Sequence, residues 1–154
     1  MHEVEHRLNG MGLTLPAPWT PRGMFLPWRK VGDIIYIAGQ ICERDGVVIV
    51  EGPVGSNCTV AQAQDAARLC ALNLLYCVKQ ASGDLDNIAE VIRLGGFVNC
   101  LSGFADAPKV IDGASSLLIA LLADAGRHVR TAVGVAGLPG NAAVEVDAII
   151  RLKR

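Results

Sequence analysis

A chain of 154 residues is long enough for one hydrophobic core and too short for two, so residues 1–154 read as a single domain. Hydrophobic residues make up 51% of it and the mean hydropathy is +0.37, yet no stretch approaches the roughly 18 apolar residues of a membrane span. The formal net charge is −1 and the Lys and Arg are scattered, which gives no basic stripe for nucleic-acid phosphates.

The N-terminus, MHEVEHRLNG, is polar and has no apolar signal-peptide core, so the expected compartment is the cytoplasm. Residues 1–29 form a lead-in with Pro16, Pro18, Pro21 and Pro27; a short helix over 2–11 gives way to extended chain. VGDIIYIAGQIC (31–42) is β-branched and apolar on both faces and reads as a buried strand. ERDG turns the chain, and VVIV (47–50) returns as a second strand.

Thr59 and Gln62 make a capping box for a helix running to about Ser82, where Gly83 ends it. Ala63, Ala67, Cys70, Leu74, Cys77 and Ala81 share one face of that helix. Residues 88–101 are again strand-like, with Gly95 and Gly96 marking a bulge or a close approach. A second helix starts near Asp106, tolerates Pro108 in its first turn, buries Val110, Ala114, Leu117, Leu118 and Leu121, and closes at Gly126. RTAVGVA (130–136), a GLPGN loop and AVEVDAIIR (143–151) then read as a terminal hairpin.

The order β-β-α-β-α-β-β, with two singly amphipathic helices, predicts an α+β fold whose helices cover one face of a mixed sheet. The other face keeps Val, Ile and Ala, and burying it against sister subunits predicts a closed symmetric ring. Five cysteines without CxxC spacing are expected to be reduced and structural. His2, His6 and His128 do not cluster as metal ligands; His128 is placed to cap the second helix.

In the terminal hairpin, pairing Ala136 with Ala143 sets Gly134 opposite Glu145 and brings Arg130 onto the same face, about 13 Å of ladder from Glu145. Two readings stand at this point. Arg130 and Glu145 form an ordinary surface ion pair, or they flank the space above Ala132 and Gly134, where a fork-shaped Arg suits a carboxylate ligand.

The run RTAVGVAGLPGNAAVEVDAI (130–149) resembles the signature of the Rid/YjgF family. VGDIIYIAGQI (31–41) is similar to that family's glycine-glutamine strand, and GGFVNCLSGFADAPKVIDGAS (95–115) to its middle strand and following helix. Residues 1–24, with their LPAP segment, resemble the longer N-terminus of a branch labelled endoribonuclease. The resemblance implies a chorismate-mutase-like fold assembled as a homotrimer with intersubunit clefts. It implies hydrolysis of enamine and imine intermediates such as 2-aminoacrylate to 2-oxo acids and ammonia, a 2-iminobutanoate/2-iminopropanoate deaminase activity that uses no metal or cofactor. Carried over by motif, Glu145 orients the attacking water, Arg130 holds the substrate carboxylate and the Gly39 backbone faces the ligand. Phe25 stands where the family has a cleft tyrosine, Ala132 where many members have Cys, Ala38 where many have Ser or Thr, and Ser102 where Asn is common.

Three other activities fit parts of the same pattern. A non-catalytic binder of 2-oxo acids would use the same clefts. An endoribonuclease would need a basic groove and aromatic platforms, against a net charge of −1 and 5% aromatics. A chorismate mutase would need further cleft arginines for its dianionic substrate, for which Arg29 and Arg93 are the candidates.

Overall fold

The structure, a computed structural model, describes residues 2–17 and 20–154; Pro18 of the lead-in lies outside the described residues. The first helix, α1 (Glu3–Gly10), buries Val4 and Leu8. Its N-terminus is held from a distance: the Glu3 and Val4 N–H groups each donate to the Asp86 carboxylate at 2.8 Å. These two bonds hold the Asp86 carboxyl below its ordinary range.

The apolar run expected as a strand does form one, and the end of the lead-in, expected only as extended chain, forms another just before it. Gly32 takes φ +61°, so the chain reverses between β1 (Trp28–Val31) and β2 (Ile34–Ile41), which pair antiparallel. The expected return strand at 47–50 shrinks to β4 (Val47–Val48), which pairs with β3 (Glu43–Arg44) in a small hairpin outside the main sheet.

Helix α2 (Val60–Ser82) has the ends its sequence specifies. Gln62 N–H donates to Thr59 Oγ1 at 3.1 Å, Thr59 N–H donates to Gln62 Oε1 at 2.9 Å, and Gly83 closes the helix at φ 82°. Helix α3 (Ala107–Leu122) follows the long strand β5 (Ile88–Asn99) and leads to β6 (Val129–Val135), before β7 (Val144–Leu152) ends the fold. The sheet order is β1-β2-β7-β5-β6, with β6 parallel to β5 and β7 antiparallel to both of its neighbours.

Both long helices lie on one face of this mixed sheet. Beneath them Val144, Val146, Ala148, Ile150 and Leu152 of β7 are buried, as are Val110, Ala114, Leu117, Leu118 and Leu121 of α3. Each large apolar side chain taken out of water here contributes about 1.5–3 kcal/mol. Where α2 and α3 cross, a Cβ on Gly113 would lie 2.1 Å from the Gln64 carbonyl oxygen, so only glycine permits the approach. The helix-free face carries exposed Tyr36, Val129 and Val133.

The expected terminal hairpin does not form. β5 lies between β6 and β7, because the β5-α3-β6 crossover sets β6 parallel to β5 at the sheet edge, and β7 fills the gap between β5 and β2. Gly134 therefore pairs with Val98 rather than with Glu145. Arg130 pairs with Leu94 on the helix-covered face, whereas Glu145 pairs with Phe97 on the open one. Within one chain the two side chains sit on opposite sides of the sheet.

Candidate active site

Two groups of residues result, one on each side of the sheet. The first is built around Glu145. A cleft of about 230 Å³ is lined by Phe25, Gly39 and Glu145, together with Thr20, Pro21, Arg22, Gln40, Ile41, Glu43 and Pro139. β2 shifts register between Ile37 and Gln40, which displaces Gly39 from regular pairing beside β7. A Cβ on Gly39 would stand 2.7 Å from Glu145 Oε1 and 2.9 Å from its carboxyl carbon, so the glycine makes room for the acid.

The Glu145 side chain makes no hydrogen bond or ion pair with the described residues. Burial pushes its carboxyl above the ordinary range, and the neighbouring Asp147 carboxylate pushes it further. Asp147 is itself raised by burial, against the pull of the Arg93 guanidinium at 3.8 Å and of the Gly95 N–H. Both glycines anticipated as a bulge or close approach are close approaches: a Cβ on Gly95 would meet Asp147 Oδ1 at 2.2 Å, and one on Gly96 would meet Ile111 Cγ1 at 2.5 Å. Phe25 is 51% exposed in the isolated chain.

The second group follows the β6 edge. Arg130 is held against α3: Nη1 donates to Asp112 Oδ1 at 2.7 Å and to Ser115 Oγ at 3.0 Å, and Nη2 donates to the Pro108 carbonyl at 2.9 Å. A guanidinium has about five N–H donors, so these three bonds leave two, enough for one bidentate carboxylate. Ser115 Oγ also lies 2.9 Å from His128 Nε2, whose Nδ1 meets the Gly126 carbonyl at 2.7 Å, so His128 does cap the end of the helical segment.

Ala132 and Gly134 continue the face that Arg130 starts. The space above Gly134 is filled in part by Cys100, whose Sγ would lie 2.6 Å from a Cβ there. A thiol thus faces this strip although Ala132 has none. Ser102 and Cys100 line a shallow hollow of about 310 Å³ with Gly134. The structure therefore brings Phe25, Gly39 and Glu145 together, sets Arg130 and Ala132 on one face of β6, and places Ser102 farther along, beside Gly134.

Arg22 and Glu43 of the cleft carried no sequence signal, since the lead-in lacks periodicity and a loop's path depends on what it packs against; Pro139 stood within the 130–149 run, with no role attached to it. Ser115 had a faint signal, a polar residue within the buried stripe of an apolar helix, whereas Asp112, one turn before it, is exposed. Arg29 lies on the edge strand β1, and Arg93 is bound to Asp147 and to Thr131 Oγ1 at 3.1 Å, so neither lines the Glu145 cleft. No group of three or more His, Cys, Asp or Glu among the described residues is arranged to hold a metal ion, and His2 pairs with Asp84 at 2.9 Å. All five cysteines are free.

Against known proteins, the family described as "YjgF/chorismate_mutase-like, putative endoribonuclease" matches residues 5–151. Protein TCP17 of Trypanosoma cruzi is 38% identical over 150 residues, 97% of this chain and 94% of that one. The crystal structure of Atu1372 from Agrobacterium tumefaciens, a protein of unknown function, is 44% identical with a TM-score of 0.91, covering 99% of this chain and 94% of that one. A Shewanella oneidensis protein called a "putative endoribonuclease" is 34% identical with a TM-score of 0.92, covering 97% and 99%.

Proposed function

We propose that this chain, which belongs to the YjgF/Rid family of chorismate-mutase-like proteins, is a hydrolytic deaminase that converts 2-imino acids and their enamine tautomers to 2-oxo acids and ammonia. The observation that carries the reading is Glu145: a half-buried carboxylate without a protein partner, held against a glycine backbone at the wall of a cleft. In our reading the second group reaches this cleft from a neighbouring copy, because Arg130 cannot reach it within one chain. A ring of three subunits, pairing each Glu145 group with the next subunit's Arg130 group, supplies both. It also covers Tyr36, Val129 and Val133 on the helix-free face.

The chemistry asks little of the protein. The iminium carbon is already electrophilic, so water needs positioning and mild deprotonation. Glu145 accepts a proton from the water as its oxygen bonds to that carbon. Glu145 returns that proton to the nitrogen of the tetrahedral carbinolamine, and ammonia leaves as the C–N bond breaks, the hydroxyl giving its proton to Glu145 as the carbonyl forms. The two remaining Arg130 donors hold the carboxylate, while Phe25 closes the cleft as an apolar wall. Ser102 and Ala132 border the carboxylate end.

The endoribonuclease label attached to the family and to the Shewanella protein asks for a site that attracts phosphates. The carboxylates of Glu145 and Glu43 repel them, with Arg22 already paired to Glu43. Turnover separates the enzyme from a binder of 2-oxo acids. Imines generated by an amino-acid oxidase should release 2-oxo acid faster with the protein than without it, and light scattering should give about three times 16.2 kDa. An unchanged release rate would leave only the binding reading, and a monomer at micromolar concentration would remove the shared site.

A further inference from the structure

Beside the Glu145 cleft, across the ion pair in which Arg22 Nη2 lies 2.6 Å from Glu43 Oε2, there is a second cavity of about 320 Å³. Thr20, Arg22 and Glu43 line both spaces, so the two adjoin. Asp45 and Asn73 line only the second.

Its polar surface is set to accept hydrogen bonds. Asn73 is 2% exposed and donates both amide hydrogens to backbone, to the Ile41 and Glu43 carbonyls at 3.0 Å each. Its Oδ1 is left buried without a donor, an arrangement proteins rarely leave unmet. Two carboxylates, Glu43 and Asp45, face one cation, Arg22. That guanidinium already rests on Glu43 and on the Gly46 carbonyl at 2.9 Å, which displays the kind of group this lining holds. Asp45 remains for a second cation, with the unmet Asn73 Oδ1 buried in the same wall.

We propose that this cavity receives the cationic end of the substrate's side chain, a guanidinium or ammonium group, and so selects imines of basic amino acids. The proposal rests on the imine-hydrolysis reading above and adds the substrate class to it. Gly39, at the reacting end, lines only the first space, and Asp45 only the second. A long unbranched side chain passes from one to the other; the methyl or ethyl group of a small imine does not. A neutral side chain would bring no charge to Asp45, and an acidic one would be repelled.

Matched substrates test this. Imines made from arginine and from citrulline have the same length and differ in charge, as do those from lysine and norleucine. With the intact protein the arginine imine should show kcat/KM about tenfold or more above the citrulline imine, and Asp45→Asn should shrink that ratio severalfold. Asp45 sits at φ 53°, which Asn tolerates, so the variant keeps the turn. Equal rates on the charged and neutral partners would overturn the proposal while leaving imine hydrolysis in place. Should no imine be hydrolysed at all, the functional reading fails, and calorimetry with butylguanidinium against butylurea still tests the cavity. Binding of butylguanidinium alone, weakened by Asp45→Asn, supports it; equal binding, or none, overturns it.

Discussion

The Glu145 cleft and the Arg130 strip are built on opposite principles. Glu145 has been left without partners, and burial raises its proton affinity. Arg130 is held by Asp112, Ser115 and the Pro108 carbonyl, with its charge largely answered before any ligand arrives. A group that must exchange a proton gains from an unsatisfied, partly dry setting, because there its two protonation states lie close in free energy. One that must recognise a planar anion gains from being fixed in place, because less side-chain freedom is lost on binding.

If that division of labour is right, the largest effect belongs to Glu145→Gln. Shape and hydrogen bonding survive while the base is lost, so turnover should fall about a hundredfold or more with 2-oxo acid binding retained. Unchanged turnover would remove Glu145 from the chemistry. Arg130→Lys comes next. It keeps the charge but not the fork, and kcat/KM should fall about tenfold or more with the oligomer intact. A nearly silent Lys would leave Arg130 only as half of an ion pair with Asp112.

The pH dependence sharpens the contrast. Burial and then Asp147 raise the Glu145 pKa above the ordinary carboxylate range, so kcat should fall as pH drops through that raised value. Replacing Asp147 by Asn removes the like charge and should shift the acid limb to lower pH; an unmoved limb would assign it to another group. Linkage runs in opposite senses at two carboxylates. Because its folded pKa is raised, Glu145 adds stability as pH falls and withdraws it as pH rises through the folded value. Asp86 has a lowered folded pKa, so its contribution is present above the unfolded value and lost as pH falls through the folded one. The smallest effect is expected there. Asp86→Asn should lower Tm by about 1–3 °C near neutral pH and by less in acid, and an equal loss at both pH values would deny that the charge matters.

Legibility in the sequence followed the range of the interaction. Both ends of α2 could be read because Thr59, Gln62 and Gly83 act within one turn of the helix. The buried stripes of α2 and α3 could be read because periodicity is local too. The partner of β6 could not, since its neighbour is chosen by the α3 crossover and by where β7 inserts. That single error moved Arg130 to the wrong face. Family resemblance pointed to Glu145, Gly39 and Phe25, which the fold does gather. It was silent on Arg22, Glu43 and Asn73, which meet only because the aperiodic lead-in folds back over the β3–β4 hairpin.

The placement of Arg130 and Glu145 on opposite sides of one sheet also has a genetic consequence. If every site draws one residue from each of two neighbours, two dead proteins should rescue each other. Glu145→Gln chains still bring a sound Arg130, and Arg130→Ala chains a sound Glu145. Random co-assembly of equal amounts should make about a quarter of the sites whole, each needing the right subunit on both sides. Two lesions within the same chain would leave mixtures with wild type diluted and no rescue between mutants, so the pattern of complementation alone would report which faces meet.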